Sequence, residues 1–483
     1  MRILQAASEL FPYSKSGGLA DMVGALSKAL AHKNHRVGVV TPMYRGMRDR
    51  FPSLAPFDWQ MDLPLGAERV SAQVWTLNPT EHLTVYFIDV PEFYDRPGLY
   101  GEAGQDYPDN ARRFVFFAKA VAHLGRYLPW QPELVHLHDW QTGLVPLLLK
   151  HQSLAQGWRT APATVFTIHN LAYHGLFSPL DYGLTNLPWD YFNPDGLEFY
   201  GRLNCLKAGL AFADTLTTVS PRYAQEITTE AFGCGLDGIL RRRQADLEGI
   251  LNGVDYEDWN PETDPHLMHR YSADRMAGKV ATKQALLRQL GLPAELDLPL
   301  FATITRLVEQ KGVDIQLGAL EEMLSAPLQF VLLGSGTPAF ESAYRDLASR
   351  HPQRVAVRIG YDNALAHQIE AGADFFLMPS RYEPSGLNQM YSQRYGTIPI
   401  VRAVGGLDDS VKDIQEDEAV MTGIKFHEYS ARALAKAMRK ALLLYRTPGL
   451  LRRYRHNGMV TNFSWEQTCL QYARLYEEVL APR

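Results

Sequence analysis

The sequence predicts an α/β protein of two domains, each a parallel sheet covered by helices on both faces. Two observations carry this. Short apolar runs of strand length recur along the whole chain, each followed by a Gly- or Pro-containing turn and then a helical pattern. Near-continuous apolar strands alternating with helices are what a parallel sheet buried on both faces requires. The second observation is length: 483 residues, at about 150 residues per domain, allow roughly three domains or two large ones.

The elements follow in order. In the first half the strand-like runs cover residues 3–7, 37–41, 83–89, 134–138, 164–169 and 215–219. In the second half they cover 300–305, 329–333, 355–359, 375–379 and 398–401. The boundary between the halves is expected in LNGVDYEDWNPETD, residues 251–264, where Asn252-Gly253 signals a turn and Asn260-Pro261 breaks any helix. This divides the chain into a first domain over 1–250, a hinge over 251–264 and a second domain over 265–458. The final segment, 459–483, spaces Trp465, Leu470, Tyr472, Leu475 and Leu480 roughly as an amphipathic helix does, so it must dock on something.

Composition narrows the functional classes. Hydrophobic residues at 46% and charged residues at 21% supply ample apolar material for more than one core. A net charge of −5 provides no strong field for nucleic acid or an anionic membrane, so an anionic ligand must meet local positive groups. The cysteines Cys205, Cys234 and Cys469 form no C-x-x-C, which points away from a disulfide framework or a structural zinc site and toward a reducing compartment. With no signal-like N-terminus and no stretch of 18 apolar residues, the expectation is a soluble cytoplasmic protein.

Open parallel sheets bind ligands outside the carboxyl ends of their strands, and polar residues stand at nearly every such end. The first strand runs into KSGGLADMVGALSKAL, where Lys15 precedes Gly17 and Gly18 and a helix begins. Two glycines let backbone approach a ligand, the helix start offers N–H groups to an anion, and Lys15 adds a full charge. The bland alternative is an ordinary turn with a surface lysine. In ELVHLHDW, His136 and His138 share one face of a strand with Asp139 at its tip, which suits either a metal pair or neutral histidines filling a sheet face. The following strand ends on His169-Asn170.

In the second half TRLVEQKG places Arg306 at a strand end and Lys311 five residues later, two cations around one turn that suit a departing diphosphate. Tyr361 follows another strand. The run PSRYEPSGL then sets Glu383 ahead of Ser385, Gly386 and Leu387, one carboxylate beside several backbone N–H groups at a helix start.

Together KSGGLADMVGALSKAL, HDWQTGL, FTIHNLAYHGLF, NGVD, TRLVEQKG, PSRYEPSGLNQMYSQRYGTIPIVRAVGGL and a final FSW resemble bacterial glycogen synthases and plant starch synthases, in order and over essentially the whole chain. The resemblance implies the GT-B architecture: two Rossmann-like domains facing each other across a deep cleft, with the C-terminal helix crossing back to the first. It implies transfer of glucose from ADP-glucose to the nonreducing 4-OH end of an α-1,4-glucan, with retention of anomeric configuration. Carried over by motif, Lys15 with the Gly17 and Gly18 amides would bind the donor diphosphate, and Arg306 and Lys311 would neutralise the ADP leaving group. His169 would contact the transferred glucose, Asp139 and Asn170 would orient sugar hydroxyls, and Asn252 would reach the donor sugar. Glu383, Ser385, Gly386 and Leu387 would hold glucose hydroxyls and phosphate, Tyr361 would flank the adenine, and Tyr94 in FYDRPG would help the acceptor glucan.

The chain departs from the family pattern in reading K-S-G-G-L for the commoner K-T-G-G-L, which keeps a hydroxyl, and E-P-S-G-L for E-P-C-G-L, which excludes an essential cysteine. The second glutamate of related GT-B families falls on Tyr391. No D-x-D is present, so Arg306, Lys311 and Lys15 are expected in place of a metal, with no cofactor beyond the ADP-glucose substrate. Three rivals stay open at this stage: a metal-dependent hydrolase built on His136, His138 and Asp139, a noncatalytic sugar-nucleotide or glucan-binding protein, and a GT-B transferase that uses another donor such as UDP-glucose.

Overall fold

A computed structural model describes residues 1–102, 104–156 and 161–481. The chain forms two compact units. The first comprises Met1–Val219, Ala224–Ile250 and the segment from Trp465 onward, and the second comprises Ser220–Tyr223 and Leu251–Ser464.

The first unit is organised by a nine-stranded sheet. Its strands are β1 (Arg2–Ala6), β2 (Arg36–Pro42), β3 (Ala55–Leu65), β4 (Glu68–Thr80), β5 (Leu83–Asp89), β6 (Leu134–His138), β7 (Ala163–Ile168), β8 (Thr215–Thr218) and β9 (Leu247–Gly249). They lie in the order β9-β8-β7-β6-β1-β2-β5-β4-β3. β1 sits at the centre, with Ile3 opposite Val37 on one side and Leu134 on the other, both pairings parallel. The apolar runs of β1, β2 and β6 are buried almost end to end, as a sheet covered on both faces demands.

β3 and β4 depart from the expected pattern. They form an antiparallel hairpin at the sheet edge, and β4 pairs antiparallel with β5. Their alternating burial leaves one face toward water, so they lack the continuous apolar run that marks the other strands.

The second unit holds six parallel strands: β10 (Leu300–Ile304), β11 (Gln329–Gly334), β12 (Val355–Ile359), β13 (Phe375–Met378), β14 (Ile398–Arg402) and β15 (Ile424–Phe426). The order is β12-β11-β10-β13-β14-β15. Separate apolar clusters cover its two faces, one built around Phe301, Phe330 and Leu332, the other around Leu300, Val331 and Phe376. Alternate residues of one strand thus feed opposite cores.

The segment 251–264 packs on this second unit. Val254 bridges to Ser464, and the Trp259 ring stacks between His367 at 3.8 Å and Tyr391 at 4.0 Å, its plane nearly parallel to both. Tyr391, standing where related families carry a second glutamate, is therefore a packing residue. The C-terminal helix Trp465–Leu480 belongs to the first unit, where Tyr476 donates to or accepts from His136 Nδ1 at 2.7 Å. Its buried stripe is Trp465, Thr468, Cys469, Tyr472, Leu475 and Tyr476. Leu470, expected inside, is half exposed because five residues past Trp465 carry it about 140° around the helix, away from the buried stripe.

Candidate active site

In each unit the strand order reverses about one central strand, and the crevice beside such a reversal is where open α/β sheets bind ligands. In the first unit the reversal lies between β1 and β6. The chain leaving β1 carries Glu9 and Lys15, and the chain leaving β6 carries Asp139.

Glu9 is the feature that sequence reasoning missed. It is buried, and its carboxylate accepts from the Ser16 N–H, from the Ser16 hydroxyl at 2.5 Å, from the Gly17 N–H at 3.2 Å and from the Tyr100 hydroxyl at 2.7 Å. The strand-end criterion that selects Lys15 applies equally to Glu9. The Gly17 amide, expected to meet a diphosphate, is thereby engaged by a carboxylate of the same loop. Gly17 and Gly18 keep open space in front of them, since a Cβ at either would meet nothing within 4 Å. Lys15 is half exposed and pairs with Asp21 at 2.8 Å, an interaction screened by water and readily exchanged.

Asp139 has φ 58° and ψ −177°, a region almost confined to glycine. Hydrogen bonds hold it there: its own N–H donates to the Thr167 carbonyl at 3.0 Å, and its Oδ1 accepts from the His169 N–H at 2.8 Å. Burial pushes its carboxyl up to about 7, against the opposing effect of the His169 and Asn170 backbone N–H groups. His169 is half-buried with Nε2 3.1 Å from His138 Nδ1, and burial lowers it to about 3. Asn170 uses its side-chain oxygen to accept from the Ala172 N–H at 3.0 Å, closing its own turn.

His136 is fully buried and both ring nitrogens are engaged, Nδ1 by the Tyr476 hydroxyl at 2.7 Å and Nε2 by the Thr167 hydroxyl at 2.6 Å. Of the two readings of H-x-H-D, neutral histidines filling a sheet face describe this geometry. Tyr94 is fully buried and its hydroxyl donates to the Arg113 carbonyl at 2.9 Å, so the residue expected at the acceptor presents no surface to a sugar here.

In the second unit the reversal lies between β10 and β13, and a cavity of about 200 Å³ opens there. Thr305, Arg306 and Lys311 line it from the β10 side, and Ser380, Gly386 and Asn388 from the β13 side. Lys311 Nζ lies 2.6 Å from Glu383 Oε2, which also accepts from the Ser380 hydroxyl at 3.0 Å. Glu383 is buried, so the lysine satisfies a carboxylate that would otherwise be costly to desolvate. Arg306 is exposed. Gly386 sits at φ 67°, and a Cβ there would come within 2.6 Å of the Gln389 side-chain oxygen. Leu387 lines the cavity, whereas Ser385, buried just before it, does not.

Tyr361 follows β12, two strands from the reversal, and lies outside the cavity wall with 85% of its surface exposed. Asn252 is buried and its side-chain oxygen has no hydrogen-bond partner.

In the second unit Arg306 and Lys311 bring two cations to one cavity wall, a charge pattern suited to an anionic ligand. Residues 2–242 match the starch synthase catalytic domain, and residues 291–458 match the group 1 glycosyl transferases. A glycogen synthase of Anaeromyxobacter sp. (strain Fw109-5) is 50% identical over 483 residues, covering all of both chains. A glycogen synthase of Koribacter versatilis is 45% identical, over 99% of this chain and 98% of that one. The catalytic domain of starch synthase IV from Arabidopsis thaliana, solved bound to ADP and acarbose, superposes with a TM-score of 0.89 at 34% identity, covering 100% of this chain and 99% of that one. With this arrangement of sheets and strand-end groups, the chain belongs to the glycogen and starch synthase family of GT-B glycosyltransferases.

Proposed function

We propose that this enzyme elongates an α-1,4-glucan, moving glucose from ADP-glucose to the 4-OH of the nonreducing end with retention of configuration. The single observation that carries the donor half is the cavity between β10 and β13, where Arg306 and Lys311 stand beside the buried Glu383. Two cations around one turn suit a diphosphate that gains charge as it leaves. Glycogen synthase relatives that match over the full length, and a starch synthase solved with ADP, support the same donor.

In this reading the bond from the sugar C1 to the β-phosphate oxygen breaks as the bond from C1 to the acceptor O4 forms on the same face. The acceptor proton passes to the departing phosphate. Arg306 and Lys311 stabilise that phosphate, and Glu383 with the Gly386 and Leu387 backbone holds sugar hydroxyls and phosphate. Within the first unit, Lys15 receives diphosphate in the open space before Gly17 and Gly18, whose loop Glu9 holds in place, while His169, Asp139 and Asn170 orient the transferred sugar. Asn252, with an unsatisfied buried oxygen, would take a sugar hydroxyl, and the exposed Tyr361 would flank adenine. The cations do the work of a nucleotide-bound metal, so no metal or other cofactor is required. The partners are ADP-glucose and the glucan, with neither nucleic acid nor membrane. The exposed thiol of Cys234 suits a reducing cytoplasm.

Glucose incorporation into glycogen by the purified protein, with ADP-glucose or UDP-glucose and with or without EDTA, tests this. Transfer from ADP-glucose that survives EDTA is expected. Preference for UDP-glucose or loss of activity with chelator would overturn the donor or the metal-free reading respectively.

A further inference from the structure

A buried chain of side chains inside the first unit sets the orientation of one imidazole. Ser27, one turn after Val23 in the helix Gly18–His32, donates its hydroxyl proton to the Val23 carbonyl at 2.6 Å. Its oxygen is then left to accept, and the Gln5 Nε2 lies 3.1 Å away. That fixes the Gln5 amide, turning Oε1 toward His138 Nε2 at 3.2 Å, where it accepts the imidazole N–H. Gln5, Ser27 and His138 are all fully or almost fully buried, and burial holds His138 well below its ordinary pKa, in the neutral form. A neutral imidazole has one N–H. His138 Nδ1 therefore carries a lone pair, and His169 Nε2, 3.1 Å from it, must donate.

We propose that Ser27, Gln5 and His138 are positioning residues that hold His169 as its Nε2–H tautomer, so that it meets the transferred sugar as a hydrogen-bond acceptor through Nδ1. The inference rests on the reading of His169 as a contact to that sugar. The partner of one ring nitrogen decides what the other can do, and a histidine in the wrong tautomer loses most of its catalytic value even with its geometry intact. In this case the decision is made at the carbonyl of Val23 and handed along four hydrogen bonds to His169.

The test uses the full chain and two variants. Gln5→Met keeps the shape of the side chain but removes the acceptor for His138, and Ser27→Ala removes the group that distinguishes the two ends of the Gln5 amide. Nitrogen NMR of histidine-labelled protein reads the tautomer without turnover. The wild type is expected to show His169 protonated at Nε2, Gln5→Met a mixture or reversal, and Ser27→Ala a smaller change in the same direction. Turnover in Gln5→Met should fall about tenfold or more with KM for ADP-glucose within a factor of about two. His169 protonated at Nδ1 in the wild type, or the same tautomer in both variants, would overturn the relay. A changed tautomer with unchanged turnover would overturn its service to the reaction. Absence of glucose transfer by the wild type would fell the donor reading instead, with the NMR result still deciding the relay.

Discussion

Lys311 Nζ lies 2.6 Å from Glu383 Oε2, so a lysine following β10 and a glutamate following β13 form one ion pair at the wall of the cavity between those strands. Each is partner to the other before any substrate arrives. A diphosphate that draws Lys311 toward itself must compete with a carboxylate that is 94% shielded, since only 6% of the Glu383 side chain is exposed.

Lys311→Ala is expected to lower turnover about a hundredfold, the loss of roughly 3 kcal/mol of leaving-group stabilisation. It should also destabilise the second unit, because Glu383 is left buried and unpaired. Glu383→Gln added to Lys311→Ala should restore much of the stability without restoring turnover. Steady-state kinetics and thermal unfolding on the two variants separate the effects; an unchanged turnover in Lys311→Ala removes the lysine from the reaction.

Lys15 should behave differently. Its pair with Asp21 is about half exposed and contributes under about 1 kcal/mol. Lys15→Ala is therefore expected to leave the melting temperature within a degree or two while lowering kcat/KM for ADP-glucose at least tenfold. Equal kinetics for variant and wild type would reduce the lysine to a surface charge.

Gly386→Ala combines an unfavourable φ of 67° with a 2.6 Å approach to Gln389. The expected cost is about 1–3 kcal/mol of stability. KM for the donor should rise as the cavity wall shifts. Gly17→Ala, with nothing within 4 Å of its Cβ, should fold as well as the wild type. Parallel melting curves for the two alanine variants would contradict the strain at Gly386.

The pH dependence has two opposite parts. Asp139 is raised to about 7, so its contribution is fully present below the ordinary carboxylate range and is lost as pH rises through about 7. His136 is lowered to about 3, so its contribution is fully present above about 6.5 and is lost as pH falls through about 3. Asp139→Asn, whose side-chain oxygen still accepts from the His169 N–H, should shrink the neutral limb, to which Glu370, pushed up to about 8 by burial, also contributes, and leave the acid limb in place. Melting temperatures at pH 5 and pH 8 check this: the variant should lose less on going to pH 8 by a few degrees, and equal losses would count against a protonated Asp139.

Much of this protein was legible in its amino-acid order. The parallel strands β1, β2, β5, β6, β7 and β10–β14 announce themselves because a strand buried on both faces must be apolar throughout, and that pattern survives in one dimension. Lys15, Arg306, Lys311 and Glu383 stand out in the sequence because they are charged residues in the connections that follow such runs, where open sheets offer room for a ligand. The edge hairpin β3–β4 was hidden because a half-solvated strand alternates apolar and polar residues weakly.

What only the tertiary structure decided is which polar groups face one another. Glu9 bonds its own loop, Tyr94 turns inward to Arg113, and Gln5 reaches both Ser27 and His138. Hydrogen bonds are directional and join residues far apart in the chain, 133 positions in the case of Gln5 and His138. Burial against water is a property of single residues and their neighbours, which a sequence records; the pairing of donors with acceptors is a property of the folded geometry, which it does not.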